Sequence, residues 1–212
     1  MLRSLIAALG MQLAIVSMAH AACEGQVGST IFEDTFADDS GGWDMSTWKV
    51  KPPEMIGVVP PQSNGSFTFN DTFNATNGDY CTEFKLPAPL APDNQVYAGL
   101  VFLASDSNNL YMVQIGSNGS VGLYKGTAGN WSIIYLVQDT QSVKTEPNSV
   151  NAIRVSVKDG KITSYVNGKQ IKVIRAQIPT TPLQFGLHIQ TDKKVEKEFD
   201  MSFTAYKVTS GS

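Results

Sequence analysis

Apolar and polar residues alternate one by one along most of this chain. Ile153, Val155 and Val157 alternate with Arg154, Ser156 and Lys158, and Leu183, Phe185, Leu187 and Ile189 with Gln184, Gly186, His188 and Gln190. Tyr111, Val113 and Ile115 share one face of another run, and Phe67 and Phe69 share one face of Ser66 to Asn70. Met201, Phe203 and Ala205 continue the pattern near the C-terminus. A period of two marks a half-buried strand, because successive side chains point to opposite faces. Two stretches, Tyr97 to Ala104 and Trp131 to Val137, are apolar almost continuously and read as central strands buried on both faces.

The breaks carry hairpin chemistry. Asn64-Gly65, Asn118-Gly119, Asp159-Gly160 and Asn167-Gly168 are pairs that accept positive φ at both central turn positions. About a dozen strands follow, spaced roughly 8–15 residues apart, and no helical period runs beyond about two turns. Pro52-Pro53, Pro60-Pro61 and Pro87 to Pro92 read as loops between strands, and Thr209 to Ser212 as a frayed end. The fold class is all-β: a two-sheet antiparallel jelly-roll sandwich.

The N-terminus departs from this pattern. Arg3, an apolar stretch from Leu5 to Val16, and Ala19-His20-Ala21 have the form of a secretory signal cleaved before Ala22. The apolar run is shorter than the ~20 residues a bilayer span needs. Residues 1–21 are therefore expected to be a signal peptide and residues 22–212 one domain, secreted or periplasmic. In such a compartment the two cysteines, Cys23 and Cys81, are expected to form a disulfide. Lipidation at Cys23 is disfavoured by His20 three positions before it, and would leave Cys81 without a partner.

Composition narrows the function. The 212 residues carry a formal charge of −3 with no basic run, which argues against a nucleic-acid partner. Beyond the signal, His188 is the remaining histidine, and no G-x-S-x-G string is present, so a hydrolytic triad has no support. Five N-x-S/T strings, at Asn64, Asn70, Asn74, Asn118 and Asn130, read as turn residues rather than glycan acceptors.

Several strings carry a family resemblance. Phe32-Glu33-Asp34-Thr35-Phe36 precedes Gly42-Trp43; Ala98 to Phe102 precedes Asn109 to Ile115; then come Gly122-Leu123-Tyr124-Lys125, Gly129-Asn130-Trp131, Asn151 to Val155, Tyr165-Val166-Asn167-Gly168 and Gly186-Leu187. This order resembles the concanavalin A-like lectin and glucanase jelly rolls, in particular bacterial laminin-G-like and 3-keto-disaccharide-hydrolase-like domains, over residues 30–208. The resemblance implies a curved sheet whose concave face meets glycans. Met112, Gln114, His188 and Gln190 would lie on that face, with Tyr124 or Trp131 stacking on a sugar ring.

The same resemblance implies a structural calcium ion, held by Glu33 or Asp34 with Asp200. The E-x-D-x-x-E strand of the related glucanases is missing, Glu196 to Asp200 sits in a charged turn with the wrong spacing, and Met112 stands where many 3-keto-disaccharide hydrolases carry an acid. The expected function is a secreted, non-catalytic domain that binds a carbohydrate or another surface ligand. The alternatives are a glycan-acting hydrolase on the same scaffold and an adhesion or protein-interaction module.

Overall fold

A computed structural model describes residues 23, 25–62, 65–87 and 94–211. The expected signal peptide and its expected cleavage point, Asn64 and most of the Pro87 to Pro92 stretch lie outside the described residues. In chain order the strands are β1 (Thr30–Asp34), β2 (Trp48–Lys51), β3 (Glu54–Val59), β4 (Gly65–Phe69), β5 (Gly78–Lys85), β6 (Val96–Asp106) and β7 (Asn109–Gly116). They continue as β8 (Ser120–Thr127), β9 (Asn130–Gln138), β10 (Val150–Lys158), β11 (Lys161–Val166), β12 (Lys169–Arg175), β13 (Gln184–Thr191) and β14 (Phe199–Thr209).

These strands form two antiparallel sheets. One has the order β12-β11-β10-β5-β14-β3-β2, and β1 also pairs with β14. The other runs β4-β13-β6-β7-β8-β9. The fold is the two-sheet antiparallel jelly-roll sandwich that the strand period and turn chemistry predict.

The two-residue turns behave as their residue types require. Asp159-Gly160 and Asn167-Gly168 both take positive φ and join β10 to β11 and β11 to β12. Ala128-Gly129 does the same between β8 and β9, a turn the sequence did not announce because Ala rarely accepts positive φ. β3 and β4, on either side of the segment in which the sequence placed an Asn64-Gly65 hairpin, belong to different sheets and do not pair.

Between the sheets lies an aromatic layer. Phe185 of β13 stacks on Tyr206 of β14 at 5.1 Å, and Phe32 and Trp43 pack around the pair at 5.2 to 6.3 Å. Trp43 donates its indole N–H to Asp34 at 2.8 Å, and the buried Tyr206 hydroxyl donates to the Val101 carbonyl at 3.3 Å. These two buried aromatics keep their polar tips satisfied, whereas the buried Tyr80 hydroxyl has no hydrogen-bond partner among the described residues.

An N-terminal strap crosses the outer face of the larger sheet. Cys23 is bonded to Cys81, with the Cα atoms 5.7 Å apart. The Gln26 amide donates to the carbonyls of Asp79 and Lys207 at 2.6 and 3.2 Å. Thr209 donates its hydroxyl to the Val27 carbonyl at 2.6 Å and Ser210 its N–H to the Ser29 carbonyl at 2.8 Å, so the chain end expected to fray is tied down as far as Ser210. Nearby, the buried Asp79 carboxylate meets the Arg154 guanidinium at 2.9 Å. Burial pushes the Asp79 carboxyl up, and Arg154 pulls against that shift.

Two expectations need correction. Trp131 to Val137 is not a central strand: β9 is a sheet edge, with Ile133 61% and Leu136 55% exposed. Its apolar run arises from a bulge opposite Leu123 and Tyr124, where Tyr124 pairs with Ile133 and Leu123 with Tyr135. Ile134 is the extra residue, and the bulge reverses which parity faces the core. Asp200 also lies within β14, not in a turn.

Two stability outcomes follow. Cys23→Ser releases a loop of about sixty residues and should lower the unfolding free energy by about 2–4 kcal/mol in urea titrations of the oxidised protein. Phe185→Ala removes the interlayer stack and should cost about 3–5 kcal/mol.

Candidate functional site

The smaller sheet exposes a concave face whose composition follows from its register. One row across the strands reads Phe67, His188, Gly99, Gln114, Gly122, Leu136. The next holds Phe69, Gly186, Val101, Met112, Tyr124 and Ile133. Glycine in the middle of these rows leaves room for larger neighbours. A Cβ on Gly99 would stand 2.9 Å from the Met112 sulfur, and one on Gly122 would stand 2.6 Å from the Tyr124 ring. Tyr124 therefore lies down across Gly122.

Two cavities of about 640 and 510 Å³ open on this face and share Gln114, Tyr124 and Gln190. The inner cavity, of about 510 Å³, is lined by all six residues expected from sequence: Met112, Gln114, Tyr124, Trp131, His188 and Gln190. The structure adds Phe67, Ile133 and Gly65 there, and Tyr97, Asn118, Ser120, Gln138, Asp192 and Lys193 in the outer cavity. Phe67 was missed because its alternation with Ser66 and Thr68 reads as a core face. In the structure Thr68 points inward, donating its hydroxyl to the Asp44 carbonyl at 2.8 Å.

His188 and Gln114 form the floor. They are only 3% and 5% exposed. The Gln114 amide nitrogen donates to His188 Nδ1 and to the Gln190 side-chain oxygen, each at 3.3 Å. Nδ1 is then the acceptor, and the neutral ring carries its proton on Nε2. That atom faces Gly65, where a Cβ would stand 2.6 Å away. Burial lowers the His188 pKa to about 3, so the imidazole is uncharged at neutral pH. Burial likewise raises the Tyr124 phenol, which stays protonated.

The aromatic side chains meet above this floor. Phe67 covers His188 with ring centroids 4.3 Å apart and lies nearly parallel to Phe69 at 5.8 Å. It also lies nearly parallel to Trp131, 10° between planes and 6.3 Å between centroids. Trp131 remains 46% exposed, whereas Trp43 and Trp48 are buried.

The expected calcium ligands do not converge. Asp34 accepts the Phe36 amide at 2.7 Å and the Trp43 indole at 2.8 Å, and Glu33 takes the Lys207 ammonium at 3.3 Å. Asp200 stands opposite Val58, at the other end of β14 from the segment that pairs with β1. Antiparallel pairing thus separates Asp200 from the other two, and among the described residues no three His, Cys, Asp or Glu side chains gather into a metal site. Of the N-x-S/T sites, Asn70 is fully buried and holds the turn at Thr72 and Phe73 through its side-chain oxygen.

Neither a protein-family model nor a curated protein sequence matches the chain. Solved structures do. The carbohydrate-binding module CBM66 from Bacillus subtilis is 16% identical, with a TM-score of 0.62 over 81% of this chain and 96% of that one. A Bacillus licheniformis beta-glucanase is 14% identical, with a TM-score of 0.62 over 87% and 99% of the two chains. The carbohydrate recognition domain of Emp47p is 10% identical, with a TM-score of 0.63 over 85% and 96%. These likenesses establish the fold.

His188 gives a pH signature. As pH falls from 6.5 toward 3, the unfolded chain gains a proton that the folded ring refuses. Stability should therefore decline with acidification by up to ~1.4 kcal/mol per pH unit from this group, and show no His188 slope above pH 6.5. Denaturant titrations at pH 7, 6 and 5 should give a flatter dependence for His188→Gln than for the parent protein.

Proposed function

We propose that this chain is a non-catalytic carbohydrate-binding domain whose concave face takes an uncharged glycan. The observation that carries the reading is the inner cavity itself. Its polar groups are amides, a phenol and a neutral imidazole, and an exposed indole stands at its rim. Sugar hydroxyls both donate and accept, as do these groups, and an aromatic face covers the apolar side of a pyranose. The likeness to a carbohydrate-binding module and a carbohydrate recognition domain supports the same reading. The disulfide suits an oxidising, extracytoplasmic compartment.

Hydrolysis by the two-carboxylate route needs a pair of acids facing the scissile bond, about 5–5.5 Å apart in a retaining enzyme. Among the described residues lining the two cavities, Asp192 is the one carboxylate, and it sits in the outer one. That composition favours binding over hydrolysis, although the neighbours include a glucanase.

A glycan-array screen of the oxidised protein, followed by calorimetry on the hits, tests this. Trp131→Ala and Gln114→Ala should each weaken binding about tenfold, equivalent to ~1.4 kcal/mol. Tryptophan emission should shift on binding in the parent and not in Trp131→Ala, since Trp43 and Trp48 are buried. Absence of binding to every neutral glycan overturns the proposal.

A further inference from the structure

The groove has two chemically different halves. Its outer half brings together Asn118, Ser120, Gln138, Thr191, Asp192 and Lys193, all able to meet hydroxyl groups, beside Leu136 and Val137. Beyond the junction at Gln114, Tyr124 and Gln190, the inner half is walled by Phe67, Met112, Trp131 and Ile133. Beside that wall, on the same face, lies a separate apolar cluster of Val101, Ala104, Leu110 and Met112, against which Phe67, Phe69 and Tyr124 pack. The wall is also left open to water: Trp131 is 46% and Ile133 61% exposed.

A chain of sugars does not satisfy that wall along its whole length. Ile133 and Met112 offer neither a flat face for stacking nor a partner for hydroxyl groups. Each hydroxyl desolvated there without a partner costs about 1–3 kcal/mol. An alkyl or aryl group in the same place removes apolar surface from water on both sides, at roughly 25 cal/mol per Å². The two contributions have opposite sign, so the wall of Met112, Trp131 and Ile133 selects against polar substituents on the side of the ligand that faces it.

We propose that the ligand is an amphiphilic glycoside: a sugar held at the junction by Gln114, Tyr124 and Gln190 and reaching into the outer half, with an apolar substituent that lies against Met112, Trp131 and Ile133 in the inner half. This deepens the carbohydrate-binding reading and rests on it. The near-parallel Phe67 and Trp131 rings, contributed by opposite edges of the sheet, bound that half, with Phe67 resting on His188. Trp131 and Ile133, on an edge strand, are the residues free to adjust to its width, whereas Met112 and the floor beneath are fixed by packing.

The experiment is calorimetric titration of the intact oxidised protein with matched methyl and octyl glycosides of glucose, galactose, mannose and N-acetylglucosamine, below the critical micelle concentrations. For at least one sugar the octyl glycoside should bind ten- to a hundredfold more tightly than the methyl glycoside. Ile133→Ser, a change at an exposed edge position that folding tolerates, should collapse that ratio toward one. Ser120→Ala and Gln138→Ala, in the outer half, should weaken the octyl glycoside while leaving its advantage over the methyl glycoside.

Equal affinity for methyl and octyl glycosides overturns the amphiphile proposal and leaves the carbohydrate-binding reading standing. Equal binding of all octyl glycosides and of an alkyl chain without sugar, such as octyl sulfobetaine, overturns both, because it makes the site a general apolar pocket. A ratio unaffected by Ile133→Ser also overturns the assignment, since the alkyl chain then lies elsewhere.

Discussion

A flat six-stranded sheet would hold its edge strands about 24 Å apart, at ~4.8 Å per spacing. Here Phe67 on one edge and Trp131 on the other approach to 6.3 Å. The curvature and side-chain reach behind that approach depend on an asymmetry between the two faces of the sheet. Towards the core, the strands present Phe185, Leu187, Leu100, Val113 and Leu123, all fully buried. Towards the groove, the matching rows contain Gly186, Gly99 and Gly122, at positions where a Cβ would stand 2.9 Å or closer to a neighbouring atom. Bulk on one face and its absence on the other bend the sheet toward the groove, and everything in the site stands on that bend.

The floor follows from the same geometry. Because the sheet closes over it, His188 loses its water and remains a neutral hydrogen-bonding group. A charged imidazole in that place would be an unpaired buried cation, which proteins avoid at considerable cost. The Gln114 amide bridges His188 and Gln190, so three polar side chains from β7 and β13 act as one network. Such a network fixes the orientation of each member, which suits recognition of a ligand that offers both donors and acceptors.

The opposite sheet carries the mechanical load. Its outer face is crossed by the strap that runs from the Cys23–Cys81 bridge to the contacts of Gln26, Val27 and Ser29 with the final strand. Its inner face supplies Tyr206 to the interlayer stack, and Asp34 holds Trp43 in place. The carboxylates that resemblance assigned to calcium are thus engaged in holding the scaffold or lie apart along β14. Among the described residues that line the groove, on the far side of the sandwich, Asp192 is the one carboxylate.

Local chemistry determined the strands, most turns and the pairing of the cysteines. Period-two alternation set which residues within β7, β10 and β13 share a face, and the resemblance to concanavalin A-like jelly rolls put Met112, Gln114, His188 and Gln190 together on one open surface. Asp159-Gly160, Asn167-Gly168 and Asn118-Gly119 located three hairpins because those residue types accept positive φ, although in the last pair only Gly119 takes it. What sequence could not carry was any relation that depends on which sheet a strand joins. Phe67 alternates like a core residue, and only the pairing of β4 with β13 turns it over His188. The apolar run of β9 looked doubly buried, yet its place at an edge and one bulged residue send Trp131, Ile133 and Leu136 to the groove. Asp200 and Asp34 suit one ion by composition, and the register of β14 separates them. Alternation is written in neighbouring residues, whereas sheet order, bulge position and curvature arise from contacts between segments far apart in the chain, and these decided the shape of the site.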